Sequence, residues 1–207
     1  DGDTVVNSGT EIRFMGSDAP ESDQICLDSK GNSWTCGIAA RDALIRKFGG
    51  KEWTCNANGR KTYKRLLATC YVAGEDVNAW TVRQGWAMSF VRYSHKYDGD
   101  ERGAVQACRG LWAGAFYAPW EWRRRTCKTE VRGCTSVPVD AQEKLCGPRS
   151  VAPDANCTIK ATTLAGKCIF HLEGGHYYGP LKMDGNSKRW FCSVADAEAA
   201  GCRRASR

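Results

Sequence analysis

Twelve cysteines in a chain of 207 residues set the first limit on what this sequence can fold into. Their number is even and none stands in a C-x-x-C pair. That argues against a zinc site and for disulfides formed in an oxidising compartment, buried free thiols being the other reading. Spacing leaves the pairing open. Cys55 and Cys70 are placed to bridge two neighbouring strands, and Cys26 and Cys36 to close a short loop. With 42% hydrophobic residues the chain can fill one good core and a second, smaller one. No window approaches about eighteen apolar residues, so no membrane-spanning helix is expected. The abrupt start at "DGDT", with no secretory leader, fits a chain from which an upstream segment has been removed.

Charge divides the chain. The first 122 residues carry 15 Lys and Arg against 15 Asp and Glu, whereas the last 85 carry 15 against 8. The net charge of +7 therefore resides in residues 123–207. A basic half points to a polyanion partner, because Lys and Arg release counterions from phosphates; solubility alone is the alternative. The stretch "APWEWRRRTCKTEVRGC" marks the change, which predicts one unit over 1–122 and a small cysteine-stapled α+β module over 123–207.

Periodicity supplies the elements. "DTVVNSGTEIRFM" reads as two short strands around an Asn7-Ser8-Gly9 turn. "GIAARDALIRKFGG" places Ile38, Ala39, Leu44, Ile45 and Phe48 at helical spacing and stops at Gly49-Gly50. "KEWTCNANGRKTYKRLLATCYVAGEDV" reads as two strands joined by a polar loop. "GEDVNAWTVRQGWA" predicts a short helix, and "DGDERGAVQACRGLWAG" a last helix closed by Gly110 and Gly114. In the basic half, "CTIKA", "KCIFHL" and "RWFCS" are strand candidates and "VADAEAAG" a short helix. The order of strands, helix, strands, helices suits a small α+β domain with a barrel-like sheet.

The chemistry concentrates in "IRFMGSDAPE". Asp3 and Asp18 meet at one end of the sheet if the 7–9 turn closes a hairpin. Two converging carboxylates repel and one is pushed toward protonation, unless a hard divalent cation such as calcium accepts them with a main-chain oxygen, here that of Ala19. Arg13 and Arg65 supply planar forks for phosphate oxygens. With Glu21 as a carboxylate base they make a plausible phosphodiester-cleaving centre. A helix cap or a wet surface accounts for Asp18 and Glu21 equally well on spacing alone.

"DGDT", "IRFMGSDAPE", "YKRLLATCYVAGEDVNAWTVRQGWA" and "RGLWAG", in this order over residues 1–115, resemble the staphylococcal (thermonuclease-like) nuclease family. The resemblance implies an OB-type five-stranded barrel with about three helices. It also implies a calcium-dependent enzyme, magnesium or manganese being possible substitutes, that hydrolyses DNA and RNA. By motif, Asp3, Asp18 and the Ala19 carbonyl match the calcium ligands, Glu21 the general base, and Arg13 and Arg65 the phosphate-binding arginines. Tyr63 and Tyr93 match aromatics beside the nucleotide; Val91 stands where the family often has another tyrosine. The family's first strand normally stands ahead of "DGDT", so the barrel is expected to lack it and expose an edge unless another segment fills the place. Five cysteines fall within 1–122. If all are paired, at least one bridge crosses to the extension, with Cys108–Cys127 as the candidate. The resemblance also implies a secreted or periplasmic bacterial protein. His171 and His176 with Cys192 fit no standard metal spacing, and Tyr177 and Tyr178 could either stack on bases or pack beneath the glycine bend. Two other classes stay open: a non-catalytic OB-type nucleic-acid binder, and an extracellular polyanion-binding module.

Overall fold

The computed structural model describes residues 1–206 except 8, 63–64, 125–128, 135–136, 147–151, 153–154, 165–166 and 184–186. The chain is a mixed α+β protein with six helices among the described residues. β1 (Thr4–Asn7) and β2 (Thr10–Phe14) form the expected hairpin, with Thr4 opposite Arg13 and Asn7 opposite Thr10. Gly9, at φ +77°, takes the left-handed turn position that only glycine adopts cheaply. β3 (Ser17–Asp18) and β4 (Cys26–Leu27) follow, then β5 (Ser33–Trp34), which pairs β4.

Helix α1 (Cys36–Phe48) ends where the glycine pair predicted, and turns Ala40, Ala43, Leu44 and Phe48 inward. β6 (Thr54–Thr62) and β7 (Arg65–Val72) run antiparallel with a register shift between Ala57 and Lys61, and Cys55 lies opposite Cys70. β7 also pairs β2 in parallel, Ile12 opposite Leu66. A short β8 (Glu75–Asp76) pairs β7 and leads into α2 (Val77–Arg83), capped by the Asp76 carboxylate on the Ala79 amide. The main sheet runs β1-β2-β7-β6, with β8 on β7, and its outer strands β1 and β6 are not paired to each other among the described residues. Among the described residues β1 pairs β2 alone, and Val6 on it is 70% exposed.

Phe14, Leu44, Phe48, Val72 and Val77 pack α1 and α2 onto the sheet, with Trp53 and Trp80 against them. β9 (Met88–Ser89) pairs β3, and α3 (Asp98–Gln106) follows. The helix expected to run to Gly114 stops at Gln106. Cys108, at φ +48°, breaks it, and a separate 3-10 turn occupies Gly110–Ala113. Close approach explains the break: a Cβ on Gly110 would lie 2.5 Å from the Gly85 carbonyl oxygen.

Beyond this turn come α4 (Pro119–Arg124) and α5 (Ala141–Cys146). Leu27, Ala115, Tyr117, Trp122, Ala141 and Leu145 share one buried cluster that spans both sides of residue 122. The last part forms its own four-stranded sheet, ordered β12-β10-β11-β13. Its strands are β10 (Ile159–Leu164), β11 (Lys167–His171), β12 (Lys188–Phe191) and β13 (Cys202–Arg204), and helix α6 (Val194–Ala199) packs on it. The carboxyl-terminal strand β13, parallel to β11, was not foreseen. Arg41 of α1 pairs with Asp196 of α6 and ties the sheet to the first helix.

Cys26–Cys36 and Cys55–Cys70 are disulfides, as spacing suggested, and Cys157–Cys192 and Cys168–Cys202 lash the small sheet. The expected Cys108–Cys127 bridge is corrected: Cys108 bonds Cys134. Phe116 and Arg132 form an isolated β-bridge, and the Cys134 amide donates to the Trp112 carbonyl at 3.0 Å, which carries Cys134 to Cys108. Cys127 lies outside the described residues. No helix among the described residues is long and apolar enough to cross a membrane.

Candidate active site

Hairpin register builds the acidic centre. Because Thr4 faces Arg13 across β1 and β2, the residue before Thr4 falls beside the guanidinium. Arg13 Nη1 donates to Asp3 Oδ1 at 2.8 Å and Nη2 to Asp18 Oδ1 at 2.6 Å, so one arginine fork spans both carboxylates. The Ala19 amide donates to Asp3 Oδ2 at 2.9 Å, and Thr4 Oγ1 to Asp3 Oδ1 at 3.1 Å. Gly16, at φ +79°, makes the turn from β2 into β3 against Ser94 and Tyr97, and β3 then delivers Asp18. Gly2 lets the amino-terminal segment lie on this loop, since a Cβ there would come within 3.1 Å of the Ala19 Cβ.

Glu21 stands two residues past Ala19 and lines a cleft of about 750 Å3. The cleft is also lined by Arg13, Arg60, Lys61, Arg65, Tyr93 and Arg123. Arg65, at the head of β7, donates to Thr4 Oγ1 at 3.1 Å, which holds it near Asp3. Tyr93 is 69% exposed and meets Phe90 edge-to-face with ring centroids 4.9 Å apart. Phe90 in turn stacks on Trp120 of α4 at 5.2 Å.

Helix α4 brings in a residue that sequence reasoning passed over. Arg123 Nη2 donates to Asp18 Oδ2 at 2.5 Å, and its Nη1 donates to Asp18 Oδ1 at 3.0 Å and to Glu21 Oε1 at 2.8 Å. Two tryptophans hold this helix: Trp120 through the Phe90 stack, and buried Trp122 through its Nε1–H on Asp23 Oδ1 at 3.2 Å. The loop that carries Glu21 is gripped from other directions as well. Gln24 Nε2 donates to the Tyr117 carbonyl at 2.7 Å, and Arg189 of β12 lies 3.6 Å from Asp23. The run "WRRR" was read as a composition boundary; its signal for Arg123 was the Trp-x-Trp that fixes α4 against the loop.

Electrostatics make this a strained place for anions. The Asp18 carboxyl is raised to about 6, by burial first and then by the charge of Asp3, against the lowering pull of the Arg123 hydrogen bond and of the Arg123 and Arg13 charges. Burial alone would lower the Arg123 pKa, but its hydrogen bonds to Asp18 and Glu21 and their charges raise it instead. Among the described residues no three His, Cys, Asp or Glu side chains come together as a metal cage. Two carboxylates and no nitrogen or sulfur donor nonetheless suit a hard cation that completes its shell with main-chain and water oxygens. The incomplete compensation at Asp18 is the feature a divalent ion would relieve, so the donor set fits.

Of the sequence-derived residues, Arg13 bonds both Asp3 and Asp18, and Ala19 meets Asp3 through its amide and not its carbonyl, while Arg13, Glu21, Arg65 and Tyr93 line the cleft. Arg13 is engaged with both carboxylates, whereas sequence reasoning assigned it to phosphate alone. Tyr63 lies outside the described residues. In the small sheet, Cys192 is bonded to Cys157, which removes it from any site with His171 and His176. Those two imidazoles instead flank the Tyr177 ring, at 6.3 and 4.7 Å. Tyr178 is held by Lys160, whose Nζ lies 4.4 Å over the ring, and by its own hydroxyl on the Thr158 carbonyl.

A cleft with guanidinium forks, a lysine and the Glu21 carboxylate on its walls, and two buried carboxylates bonded to one of those forks, is suited to a phosphate-bearing polyanion and a water. Sequence comparison gives the class a family. The profile described as "Staphylococcal nuclease homologue" matches residues 11–114, half of the chain, and the chain belongs to that family. It is 38% identical over 90 residues to "Succinoglycan biosynthesis protein ExoI" of Rhizobium meliloti (strain 1021), covering 42% of this chain and 47% of that protein. It is 29% identical over 126 residues to "Probable staphylococcal-like nuclease CAN1" of Oryza sativa subsp. japonica, covering 59% and 35%. An "Uncharacterized endonuclease" of Haemophilus influenzae (strain ATCC 51907 / DSM 11121 / KW20 / Rd) is 29% identical over 133 residues, covering 60% and 69%. The chain spans about half or less of the first two relatives.

Proposed function

We propose that this chain is a thermonuclease-like hydrolase that cleaves phosphodiester bonds of DNA and RNA with calcium as its cation, magnesium or manganese being possible substitutes. The observation that carries the proposal is that Arg13 and Glu21 line one basic cleft, with buried Asp3 and Asp18 held directly behind it by the Arg13 fork. Two relatives whose names include nuclease or endonuclease support it.

Asp3, Asp18 and the main-chain oxygen of Ala19 would hold the ion. When bound, such an ion neutralises phosphate charge and lowers the pKa of a water. Arg65, and the part of Arg13 that faces the cleft, bind the non-bridging oxygens of the scissile phosphate and counter the charge that grows on them. Glu21 orients a water and takes its proton as the water oxygen bonds to phosphorus in line with the leaving group. The P–O5′ bond breaks and the departing 5′-oxygen takes a proton from solvent water, which leaves a 3′-phosphate and a 5′-hydroxyl. Tyr93, and Tyr63 by its motif, pack beside the nucleotide, and Arg60 and Lys61 extend the basic wall along the strand. The disulfides favour a secreted or periplasmic setting. The OB-type five-stranded barrel that the family resemblance implies, and the two-unit division at residue 122, belong to this reading too.

The test is digestion of plasmid and of RNA with calcium or with a chelator, for wild type and Glu21→Gln. Calcium-dependent cleavage that falls roughly 10²–10³-fold in the variant is expected. Binding of nucleic acid without cleavage under every divalent ion would replace this reading with that of a non-catalytic binding domain.

A further inference from the structure

We propose that Arg123 is a built-in counter-cation of the acidic centre: it holds Asp18 and Glu21 while no divalent ion is present, and must leave them for the ion to bind. The inference rests on the reading of Asp3 and Asp18 as ion ligands.

The argument is geometric. Arg123 covers both oxygens of Asp18 at 2.5 and 3.0 Å and reaches Glu21 at 2.8 Å, so the outward lone pairs that would face an ion are already taken by N–H donors. Arg13 lies on the inner side, 13% exposed and fixed by β2, and bonds Asp3 and Asp18 together. Arg123 instead reaches in from the rim, its side chain 34% exposed at the cleft wall. It has somewhere to go, whereas Arg13 does not. Its backbone is held while the side chain swings, because Trp120 and Trp122, just ahead of it in the helix, secure α4. A guanidinium placed this way does two jobs. It keeps buried Asp18 and half-buried Glu21 from repelling each other in the metal-free protein, and it lowers the apparent affinity for the ion by the fraction of molecules in which it is bound. Ion entry frees a fork that already lines the wall where phosphate oxygens would lie.

The experiment is calorimetric titration of the full chain with calcium chloride, without nucleic acid and at fixed ionic strength. It compares wild type, Arg123→Lys and Arg123→Ala, each first shown to melt cooperatively. Arg123→Ala is expected to bind calcium about tenfold more tightly than wild type, as when the released form is about a tenth of the population. Arg123→Lys keeps the charge but cannot bridge two carboxylates with one planar group, so it too should bind several-fold more tightly. The melting temperature of Arg123→Ala should fall below wild type in chelator, and the gap should close at saturating calcium. Equal or weaker calcium binding in Arg123→Ala overturns the displacement and leaves the ion site standing. Tighter binding in Arg123→Ala with wild-type affinity in Arg123→Lys reduces the effect to distant charge and also overturns it. Absence of calcium binding in all three proteins overturns the ion reading and this inference with it.

Discussion

Substitution Gly37→Ala tests whether the position of Glu21 sets the rate. Gly37 lies in the first turn of α1, packed on the loop that carries the acid. A Cβ built there would lie 2.5 Å from the Glu21 carbonyl carbon and 3.1 Å from the Ser22 Cα, and closer still to the Glu21 carbonyl oxygen. Ordinary contact begins near 3.4 Å, so helix and loop must separate by about 1 Å at the least. The helix is the stiffer partner. Cys36 is bonded to Cys26, and Ala40, Leu44 and Phe48 are buried along its inner face. The loop therefore yields, and Glu21 moves with it. A displacement of about 1 Å at a reacting group costs on the order of 10²-fold in rate, while overpacking of this kind costs about 1–3 kcal/mol of stability. Initial rates on a fluorescent oligonucleotide, with melting curves alongside, read both quantities. A variant that melts lower but cuts within about threefold of wild type would refute the reasoning, since the strain would then have been absorbed without moving the acid.

Other perturbations follow from the same contacts. Replacing Cys55 and Cys70 by serine releases a loop with a sequence separation of 15 residues; a loss of about 3 kcal/mol should be read in denaturant melts. Asp23→Ala strips partners from the Trp122 indole and Arg189 at once, and should cost about 1–3 kcal/mol in the same measurement. Calcium at a hundred times its dissociation constant should stabilise the folded chain by about 2.7 kcal/mol, and chelation should remove the gain. Burial raises the pKa of Glu101, which accepts from the Ser89 amide. A raised carboxylate pKa favours the protonated form, so its stabilising contribution is present below the ordinary glutamate range and is lost as pH rises through the folded value. Glu101→Gln should therefore melt slightly above wild type at pH 7 and level with it at pH 4; a lower melting temperature at pH 7 would contradict this.

Local rules made much of the fold legible. The turn at Gly9, the stop at Gly49 and the facing cysteines of β6 and β7 follow from backbone freedom, helix termination and strand pairing, all encoded within a few residues. The approach of Asp3 to Arg13 follows from the hairpin between them, whereas Asp18, in β3, was legible through the motif "IRFMGSDAPE" and the family it resembles. Long-range contacts were not. Nothing near Gly110 reveals that the Gly85 backbone will press on it and end α3 early. Arg123 stands 105 residues from Asp18, and composition around it read as a boundary because three successive arginines look alike until a helix selects one. Cys134 won Cys108 through the strand-like bridge of Arg132 to Phe116, a pairing that spacing alone does not rank above its competitor.

The grip on the Glu21 loop has a consequence for anyone who borrows this nuclease-like unit. The family match ends at residue 114, while Tyr117, Trp122, Arg123 and Arg189, which brace that loop, all come later in the chain. A transplant cut at the edge of the recognised region would carry the Glu21 loop without its buttress, so grafts and fusions should take the chain through β12 as one inheritance.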